Sequence, residues 1–447
     1  MSPVRWKSVE LVGWGHVRRA WSLAARAERT SELAAALSED WPGGISVYGS
    51  GRSYGDSALN ANGHSCLTAR LNRILGFDEA SGIVEVEPGV TFRQLMDVFL
   101  PKGWLVPVTP GTSFATIGGA VAHDVHGKNH EHAGSFGEHV TEIDLMTSDG
   151  SLRTLGPRSR PAWFRATVGG CGLTGIMTRI AFRMSRVPSG DVRVTRRRLD
   201  NLDLFLEAFE GARDASYSVG WIDALARGSD LGRGILETAE PATEQRPVLR
   251  PKHEKTVPFE LPLSLVNPMS VKAFNALYFY GASKEGSTAL KSYGAFLYPL
   301  DSIGSWNRIY GKRGFHQFQC VVPHQGGADA LRRLLETISS CGAPSFLSVL
   351  KLLGPGRAGY LSFPMEGYTL AVDFPNSPTT ESLYRALVHL TLDHGGRVYL
   401  AKDALLWPEA FAQMYPELDE FRRVMEELDP SARLQSDMAR RLQVRPC

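Results

Sequence analysis

Three glycine-rich segments near the start of the chain constrain its fold more than any other feature. They read VYGSGRSYGDS at Val47–Ser57, PGTSFATIGGAVAHDVHGKNHEHAGSFG at Pro110–Gly137 and VGGCGLTGI at Val168–Ile176. Glycine lets backbone N–H groups close on a phosphate, and Ser and Arg side chains add donors. A single loop of this kind is more often an ordinary tight turn, and the first has neither a Walker A ending nor a Rossmann helix start. Three together favour an extended ligand, and a dinucleotide such as FAD has that length.

Size and composition indicate a globular enzyme. A chain of 447 residues is too long for one core and predicts two domains, or one domain with a large insertion. Apolar residues at 43% and charged residues at 21% are ordinary globular values. With 49 Lys+Arg against 47 Asp+Glu, the charge of +2 does not favour a nucleic-acid partner. The scattered cysteines predict inert thiols or a reducing compartment: Cys66, Cys171, Cys320, Cys341 and Cys447.

The N-terminal region carries a weak likeness to an export signal. Arg18 and Arg19 precede an apolar run that ends at Arg26, which is shorter than the roughly 7–15 residues such a signal needs. We therefore predict a helix here. No stretch approaches the roughly 20 apolar residues of a membrane span, and no lipidation motif is visible. The expected location is cytoplasmic or peripheral at the inner membrane face.

The first 190 residues predict an α+β arrangement. Turn signals between β-type runs predict two hairpins, in Ile74–Val90 and in His139–Leu155. Thr91 is the predicted N-cap of a helix with one apolar stripe, which Pro101 and Gly103 end.

The character of the chain changes near Arg193, where a second domain is predicted to begin. The segment Glu237–Pro268 is rich in Pro and charge, and we predict a mobile lid there. The last segment predicts a strand followed by helices. The remaining pattern predicts a sheet covered by helices, with strands at 192–199, 217–223, 315–323, 345–355 and 368–375 and helices at 202–212, 328–341 and 380–393.

A run of histidines raises the possibility of a metal site. His123, His126, His130 and His132 have spacings of two to four residues, and neutral imidazole is a common metal ligand. Glycines interrupt any helix through them, and neither HExxH nor a paired cysteine set is present, so a metal site is disfavoured. Surface or capping positions are the competing explanation for His130, His132 and His139.

Several motifs together resemble the vanillyl-alcohol-oxidase-type (PCMH-type) FAD-binding family: GRSYGD, PGT followed by T-GG, HDVHGKNHEHAGSFGEHV, GLTGI, VYLAKD and SDMARRL. The resemblance runs from Val47 nearly to the C-terminus, and its histidine-rich block is the most specific part. It implies an α+β fold in which a two-part PCMH-type FAD-binding domain, 1–190 and 397–447, receives an inserted α+β substrate domain, 191–396, with an antiparallel sheet covered by helices. It also implies a flavoprotein with non-covalently bound FAD.

The resemblance assigns residues to the cofactor by position. They are Gly49, Ser50, Gly51, Arg52, Ser53, Tyr54, Gly55, Asp56, Ser57, Gly111, Thr116, Ile117, Gly118, Gly119, His123, Asp124, Val125, His126, Ile176, Met177 and Tyr399.

The resemblance likewise assigns Lys402, Tyr54 and His126 to catalysis. Hydride transfer to the flavin leaves a hydroxyl proton that a desolvated Lys or a Tyr can accept. Lysines also match a lipid-linked phosphate. The implied substrate residues are Lys128, Gln317, Gln319, Lys351, Thr369 and Lys402.

Three competing explanations stay open at this stage. Lys128 and Lys351 could be solvated surface charges. Lys402 could form an ion pair with its neighbour Asp403. Some family members have a cysteine where this chain has Ala371, which leaves the pocket shape open.

The implied reaction is oxidation of the 2′-hydroxyl of a polyprenyl-phosphoryl-β-D-ribose to a 2′-keto sugar. This would be the first half of an epimerisation to the arabinose form for cell-wall arabinan biosynthesis. A separate NADH-linked keto-reductase would complete it, and peripheral membrane contact would give access to the lipid. The alternatives are an oxygen-using oxidase of a soluble sugar or polyol, a metal-dependent hydrolase built on the histidines, and a non-enzymatic binding module.

Overall fold

A computed structural model describes residues 5–37, 41–244, 255–260 and 264–445. Within them the strands are β1 Lys7–Val12, β2 Arg19–Arg26, β3 Ile45–Tyr48, β4 His64–Leu67, β5 Ile74–Asp78, β6 Ile83–Val86, β7 Trp104–Leu105, β8 Val140–Met146, β9 Leu152–Leu155, β10 Ile176–Arg183, β11 Ser185–Arg186, β12 Asp191–Leu199, β13 Tyr217–Ile222, β14 Gly234–Pro241, β15 Lys255–Thr256, β16 Ser287–Ser292, β17 Ile303–Gly304, β18 Phe315–Pro323, β19 Ser348–Leu353, β20 Gly367–Pro375 and β21 Arg397–Val398.

The α-helices in the same described ranges are α1 Thr30–Leu37, α2 Phe92–Phe99, α3 Ile117–Ala122, α4 His130–Ala133, α5 Pro161–Thr167, α6 Leu202–Glu210, α7 Pro268–Tyr280, α8 Tyr293–Leu297, α9 Gly327–Cys341, α10 Thr380–Asp393, α11 Pro408–Met414, α12 Leu418–Leu428 and α13 Asp437–Arg441. None of these helices is long and apolar enough to cross a membrane.

Two larger sheets and the two-stranded sheet β7-β11 form from the described part of the first 190 residues. One has four strands in the order β1-β2-β4-β3, and the other has five in the order β5-β6-β10-β8-β9. The helix predicted around Arg19–Arg26 is wrong, because this segment is β2, which pairs with β1 and β4. Its side chains alternate, with Ala20 and Ala24 buried while Trp21 and Leu23 are exposed. Period-two burial of this kind is the pattern of a half-buried strand.

The two predicted hairpins are present as β5–β6 and β8–β9. The helix between them, α2, begins as predicted with a Thr91 capping box that Gln94 completes. Its α-helical part ends at Phe99, one 3₁₀ turn before Gly103, which has the left-handed φ of 77° that favours glycine.

A larger sheet follows, with eight strands in the order β16-β12-β14-β13-β19-β20-β18-β21, all paired antiparallel. Helices α6, α9 and α10 pack against it. The fold class is therefore mixed α and β, as predicted. The division into an FAD domain and an insertion stays a prediction, and β21, at the predicted start of the last segment, lies on the edge of this large sheet.

The predicted lid is only partly a loop. Its first residues, from Glu237 to Pro241, belong to β14, where they pair with β12 and β13. This part of the prediction is wrong, because Glu237 and Glu240 stay partly or fully exposed while the backbone of β14 pairs on both sides. Residues 245–254 and 261–263 of the predicted lid lie outside the described residues.

The C-terminal residues contact the N-terminal sheet directly. The Ile45 N–H donates to the Arg433 carbonyl at 2.7 Å, and the Gln435 N–H donates to the Ile45 carbonyl at 3.0 Å. Arg441 binds the Asp56 carboxylate with two hydrogen bonds of 2.7 and 2.9 Å. The last segment of the chain thus holds the loop that follows β3 in place.

Candidate functional site

One large cavity, of about 530 Å³, is enclosed by residues from all three glycine-rich segments and from the eight-stranded sheet. This volume is within the roughly 300–1,000 Å³ of small-molecule sites. The predicted residues that line it are Gly49, Ser50, Gly51, Arg52, Ser53, Tyr54, Gly55, Ser57, Gly111, Thr116, Gly118, Gly119, His123, Val125, His126, Lys128, Met177, Gln317, Gln319, Lys351, Tyr399 and Lys402.

The first glycine loop leaves β3 and turns under the cavity. Gly51 has a left-handed φ of 64°, and a Cβ on Gly55 would stand 1.7 Å from the Asp403 carbonyl oxygen. Neither place accepts a side chain without movement of the backbone. The backbone N–H groups of residues 50–53, which line the cavity, donate to no acceptor among the described residues. They are available to a phosphate.

Five of the predicted residues do not line the cavity, namely Asp56, Ile117, Asp124, Ile176 and Thr369. The Asp56 carboxylate is bound by Arg441. The Asp124 carboxylate accepts from the N–H groups of Gly137 and Ala358 and from the Ser362 hydroxyl. Both carboxylates therefore hold loops together beside the cavity.

The histidines have separate protein partners. His123 lies within 3.4 Å of the Ser53 and Ser57 hydroxyls, and His130 accepts the Gly354 N–H at Nδ1, 3.0 Å away. His130 is buried, so a surface position is wrong for it. His132 and His139 contact the carbonyls of Ala215 and Ala133. Among the described residues, no group of three or more His, Cys, Asp or Glu side chains has the arrangement of a metal site.

Three lysines point their amines into this region, and burial lowers the pKa of each. The pKa of Lys402 falls to about 7, and those of Lys128 and Lys351 fall to about 8. Lys128 also donates to the Phe296 carbonyl at 2.5 Å. Solvated surface positions are therefore wrong for Lys128 and Lys351, because removal from water destabilises the charged amine.

The competing explanation for Lys402, an ion pair with Asp403, is wrong. The Asp403 carboxylate instead binds Arg441 at 2.9 Å and accepts the Tyr384 hydroxyl at 2.8 Å. The Lys402 amine lies 3.8 Å from the centre of the Tyr54 ring. Both residues lie in the turn after β21, where the Lys402 and Asp403 N–H groups donate to the Tyr399 carbonyl, and Asp403 is turned toward Arg441.

Asp373 is a site residue that sequence reasoning missed. Its Oδ1 accepts a hydrogen bond from the Gln317 amide at 2.5 Å, and Gln317 and Tyr54 both line the cavity. Burial raises the pKa of Asp373 to about 7, and the Gln317 donor and the Lys402 charge oppose the rise. One signal was available, since Asp373 is the lone carboxylate in the apolar strand GYTLAVDFP.

A second polar set surrounds His126. The Gln319 amide nitrogen lies 3.0 Å from His126 Nε2 and 3.3 Å from the Thr369 hydroxyl. Burial, with the charges of Lys351, His130 and Lys402, holds the pKa of His126 well below its usual range. The His126 Nδ1 is buried and has no partner among the described residues. His126 thus lines the cavity as a neutral imidazole with one buried nitrogen that has no partner among the described residues.

The three buried thiols are not candidate nucleophiles. Burial raises the pKa of Cys66, Cys171 and Cys320 to about 12, which leaves them as unreactive thiols. Ala371, at the position where some relatives carry a cysteine, lines the cavity on β20. Cys447 lies outside the described residues.

The residues present fit a bound dinucleotide. Free backbone donors stand at residues 50–53, the second and third glycine segments continue along the same cavity, and Val125 and Met177 add apolar lining. A Cβ on Gly111 would meet no atom within 4 Å, so the cavity is open there for a ligand.

Comparison with known families assigns two parts of the chain. The FAD binding domain family matches residues 22–156, and the D-arabinono-1,4-lactone oxidase family matches residues 312–442. The first match covers two of the three glycine-rich segments, and the second covers Lys351 and Lys402. The chain therefore binds FAD, as predicted.

Comparison with curated proteins gives relatives over nearly the whole length. The chain is 36% identical to the decaprenylphosphoryl-beta-D-ribose oxidase of Mycolicibacterium smegmatis, over 97% of each chain. It is 22% identical to L-gulonolactone oxidase 5 of Arabidopsis thaliana, over 83% of this chain and 71% of that one. It is 20% identical to an L-gulono-1,4-lactone dehydrogenase of Mycobacterium tuberculosis, over 89% and 90%.

Proposed function

The chain belongs to the family of the decaprenylphosphoryl-β-D-ribose oxidase, and we propose that it oxidises the 2′-hydroxyl of a polyprenyl-phosphoryl-β-D-ribose to a 2′-keto sugar. It is an FAD-dependent oxidoreductase that acts on a CH–OH group. The observation that carries the proposal is the Lys402 amine, whose pKa of about 7 places a base in the same cavity as the glycine loops.

FAD would be held by the loop Gly49–Ser53, by Gly118 and Gly119, and by the apolar surface near Val125 and Met177. When bound it supplies the acceptor for the hydride that leaves the carbinol carbon. We also propose that the FAD domain is of the PCMH type and that a substrate domain at residues 191–396 interrupts it.

Lys402 accepts the hydroxyl proton at Nζ. Near pH 7 about half of its amines are neutral, and a base with a pKa near the working pH is the most effective. Burial raises the pKa of Tyr54 well above its ordinary value, so its phenol stays protonated. Tyr54 therefore orients the amine with its ring rather than acting as the base. Asp373 holds the Gln317 amide, and its charge opposes the lowering of the Lys402 pKa by burial.

His126 fixes the sugar as a hydrogen-bond donor. With the Gln319 amide donating to Nε2, the imidazole carries its proton on Nδ1, which has no protein partner. A substrate oxygen is the natural acceptor for that proton. Thr369 acts one step away, because its hydroxyl accepts from the same Gln319 amide.

Lys128 and Lys351 bind the phosphate of the lipid carrier. Burial lowers the pKa of each amine to about 8, and the charge of Lys351 adds to the lowering at Lys128. A phosphodiester between the two would restore their protonated forms, since an opposite charge stabilises the ammonium. The keto sugar formed would pass to a separate NADH-linked reductase, and the enzyme would work at the cytoplasmic side of the membrane or peripherally on it.

The purified holoenzyme should be assayed on polyprenyl-phosphoryl ribose with an artificial electron acceptor. We expect flavin-dependent formation of a 2′-keto product, trapped by borodeuteride reduction at C2 of the pentose. The lactone oxidase match at residues 312–442 favours a second candidate, an oxidase of a soluble sugar or polyol. Turnover of a soluble polyol with peroxide release, and none of the lipid-linked pentose, would replace the proposal by this candidate.

A further inference from the structure

Helix α7 presents an apolar face to solvent. Met269 is 84% exposed and Leu277 is 77% exposed, and Tyr280 lies on the same side. The opposite side of the helix buries Val271, Asn275 and Phe279. At 100° per residue these two sets fall on opposite faces, so the exposed stripe is a continuous surface rather than scattered side chains.

This face continues toward the opening of the cavity. Thr256 and Ile303 both line the cavity and are exposed, which places an opening at β15 and β17. The two strands pair in parallel, and the Val257 N–H donates to the Gly304 carbonyl. Ile303 is itself an exposed large apolar residue, and so are Phe259 and Leu265 in the segments between β15 and α7.

The helix is firmly attached to the site. Val271 packs in one cluster with Trp306, Tyr310, Phe315 and Tyr54, the residue that underlies the Lys402 amine. Asn267 caps the start of α7 by accepting the Met269 and Ser270 N–H groups. The exposed stripe is thus the outer side of a helix whose inner side reaches the catalytic residues.

We infer that α7, with Phe259, Leu265 and Ile303, docks the enzyme on a lipid bilayer so that the cavity opens at the membrane surface. The inference takes the lipid character of the substrate from the proposed function. It also stands on the composition of the helix, PMSVKAFNALYFY, whose one charged residue is Lys272. Exposed apolar side chains, tyrosines and a lysine without a carboxylate match the interface of an anionic bilayer.

The test is flotation of the FAD-loaded enzyme with phosphatidylglycerol-containing vesicles. The double variant Met269→Glu/Leu277→Glu should lower the vesicle–water partition coefficient of the enzyme by about tenfold or more. The reason is that two apolar side chains no longer leave water when the enzyme binds the vesicle. The matched control is Leu75→Glu/Leu152→Glu, at residues 45% and 51% exposed on the five-stranded sheet. It should bind as the native chain does.

Three results would overturn the inference: no flotation of the native enzyme, equal flotation of the α7 variant, or equal loss in the control. A concentration-dependent dimer that the α7 change abolishes, with flotation unaltered, would assign the face to a second copy instead. Circular dichroism and flavin absorbance verify that each variant is folded and loaded.

Turnover separates this inference from the function on which it rests. With a water-soluble short-prenyl substrate, the α7 variant should match the native enzyme, whereas with substrate in vesicles it should be slower by the flotation ratio. Absence of turnover on both substrates in the native enzyme would remove the proposed function, while flotation would still decide whether α7 binds the bilayer.

Discussion

Two parts of the cavity are built in opposite ways. We call the glycine loops at residues 49–55 and 118–119 the cradle, and the side chains of β18 and β20 the wall. The cradle presents backbone, and a Cβ would stand 1.7 Å from the Asp403 carbonyl at Gly55 and 2.8 Å from Pro88 at Gly118. The wall presents side chains of β18 and β20, whose register places Gln317 opposite Asp373. The cradle therefore depends on the absence of side chains, whereas the wall depends on their chemistry.

Gly55→Ala should have the largest effect, with no FAD-loaded enzyme recovered. The new methyl group would collide with the Asp403 carbonyl, which is backbone and has no room to move. Flavin absorbance per protein and the melting temperature measure the result. Gly76→Ala is the matched control, because a Cβ there meets no atom within 4 Å. A Gly55→Ala enzyme with native flavin content would show that the cradle tolerates side chains after all.

Lys402→Ala should leave the fold and FAD intact and lower turnover by about 10²–10⁴-fold, the usual worth of a positioned base. Lys402→Arg should not restore activity, since its guanidinium stays protonated. Turnover with an artificial acceptor and the flavin spectrum are the measurements. The exposed Lys312 provides the control substitution, Lys312→Ala. If Lys402→Ala loses FAD as well, the residue belongs to the cradle, and near-native turnover would exclude it from the chemistry.

Asp373→Asn should have a smaller effect and a distinctive pH signature. The kcat/KM of the native enzyme should rise as pH increases through about 7, because Lys402 must lose its proton to act as a base. The Asp373 charge raises the pKa of Lys402, so its removal should shift the rise to lower pH. The rate should fall about tenfold, the worth of one buried charged hydrogen bond. An unshifted profile would mean that Asp373 is only structural.

The last prediction concerns the attachment of FAD and needs no variant. We expect acid precipitation to release all the flavin into the supernatant. The prediction of non-covalent FAD rests on the family resemblance of the histidine block. It is consistent with His126 Nε2 already lying 3.0 Å from Gln319. Absorbance of the supernatant and of the washed pellet gives the partition. Yellow colour that stays with the washed pellet would show that FAD is covalently bound and would contradict the prediction.

The sequence by itself predicted the elements whose signals are local. The hairpins at β5–β6 and β8–β9, the capped helix α2 and the strands of the wall were expected because turn residues, caps and periodicity act within a few positions. The three glycine segments predicted a dinucleotide site for the same reason. Glycine has no side chain, so a ligand can approach the backbone closely at these positions.

Tertiary structure decided what depends on distant partners. Arg19–Arg26 is a strand because it pairs with β1 on one side and β4 on the other. Asp403 forms its ion pair with the distant Arg441 and not with its neighbour Lys402. Asp373 joined the site only through the register of β18 and β20. The pKa values of the three lysines likewise follow from their removal from water. Pairing and desolvation arise between segments far apart in the chain, so the residue types are set by sequence and their chemistry by burial.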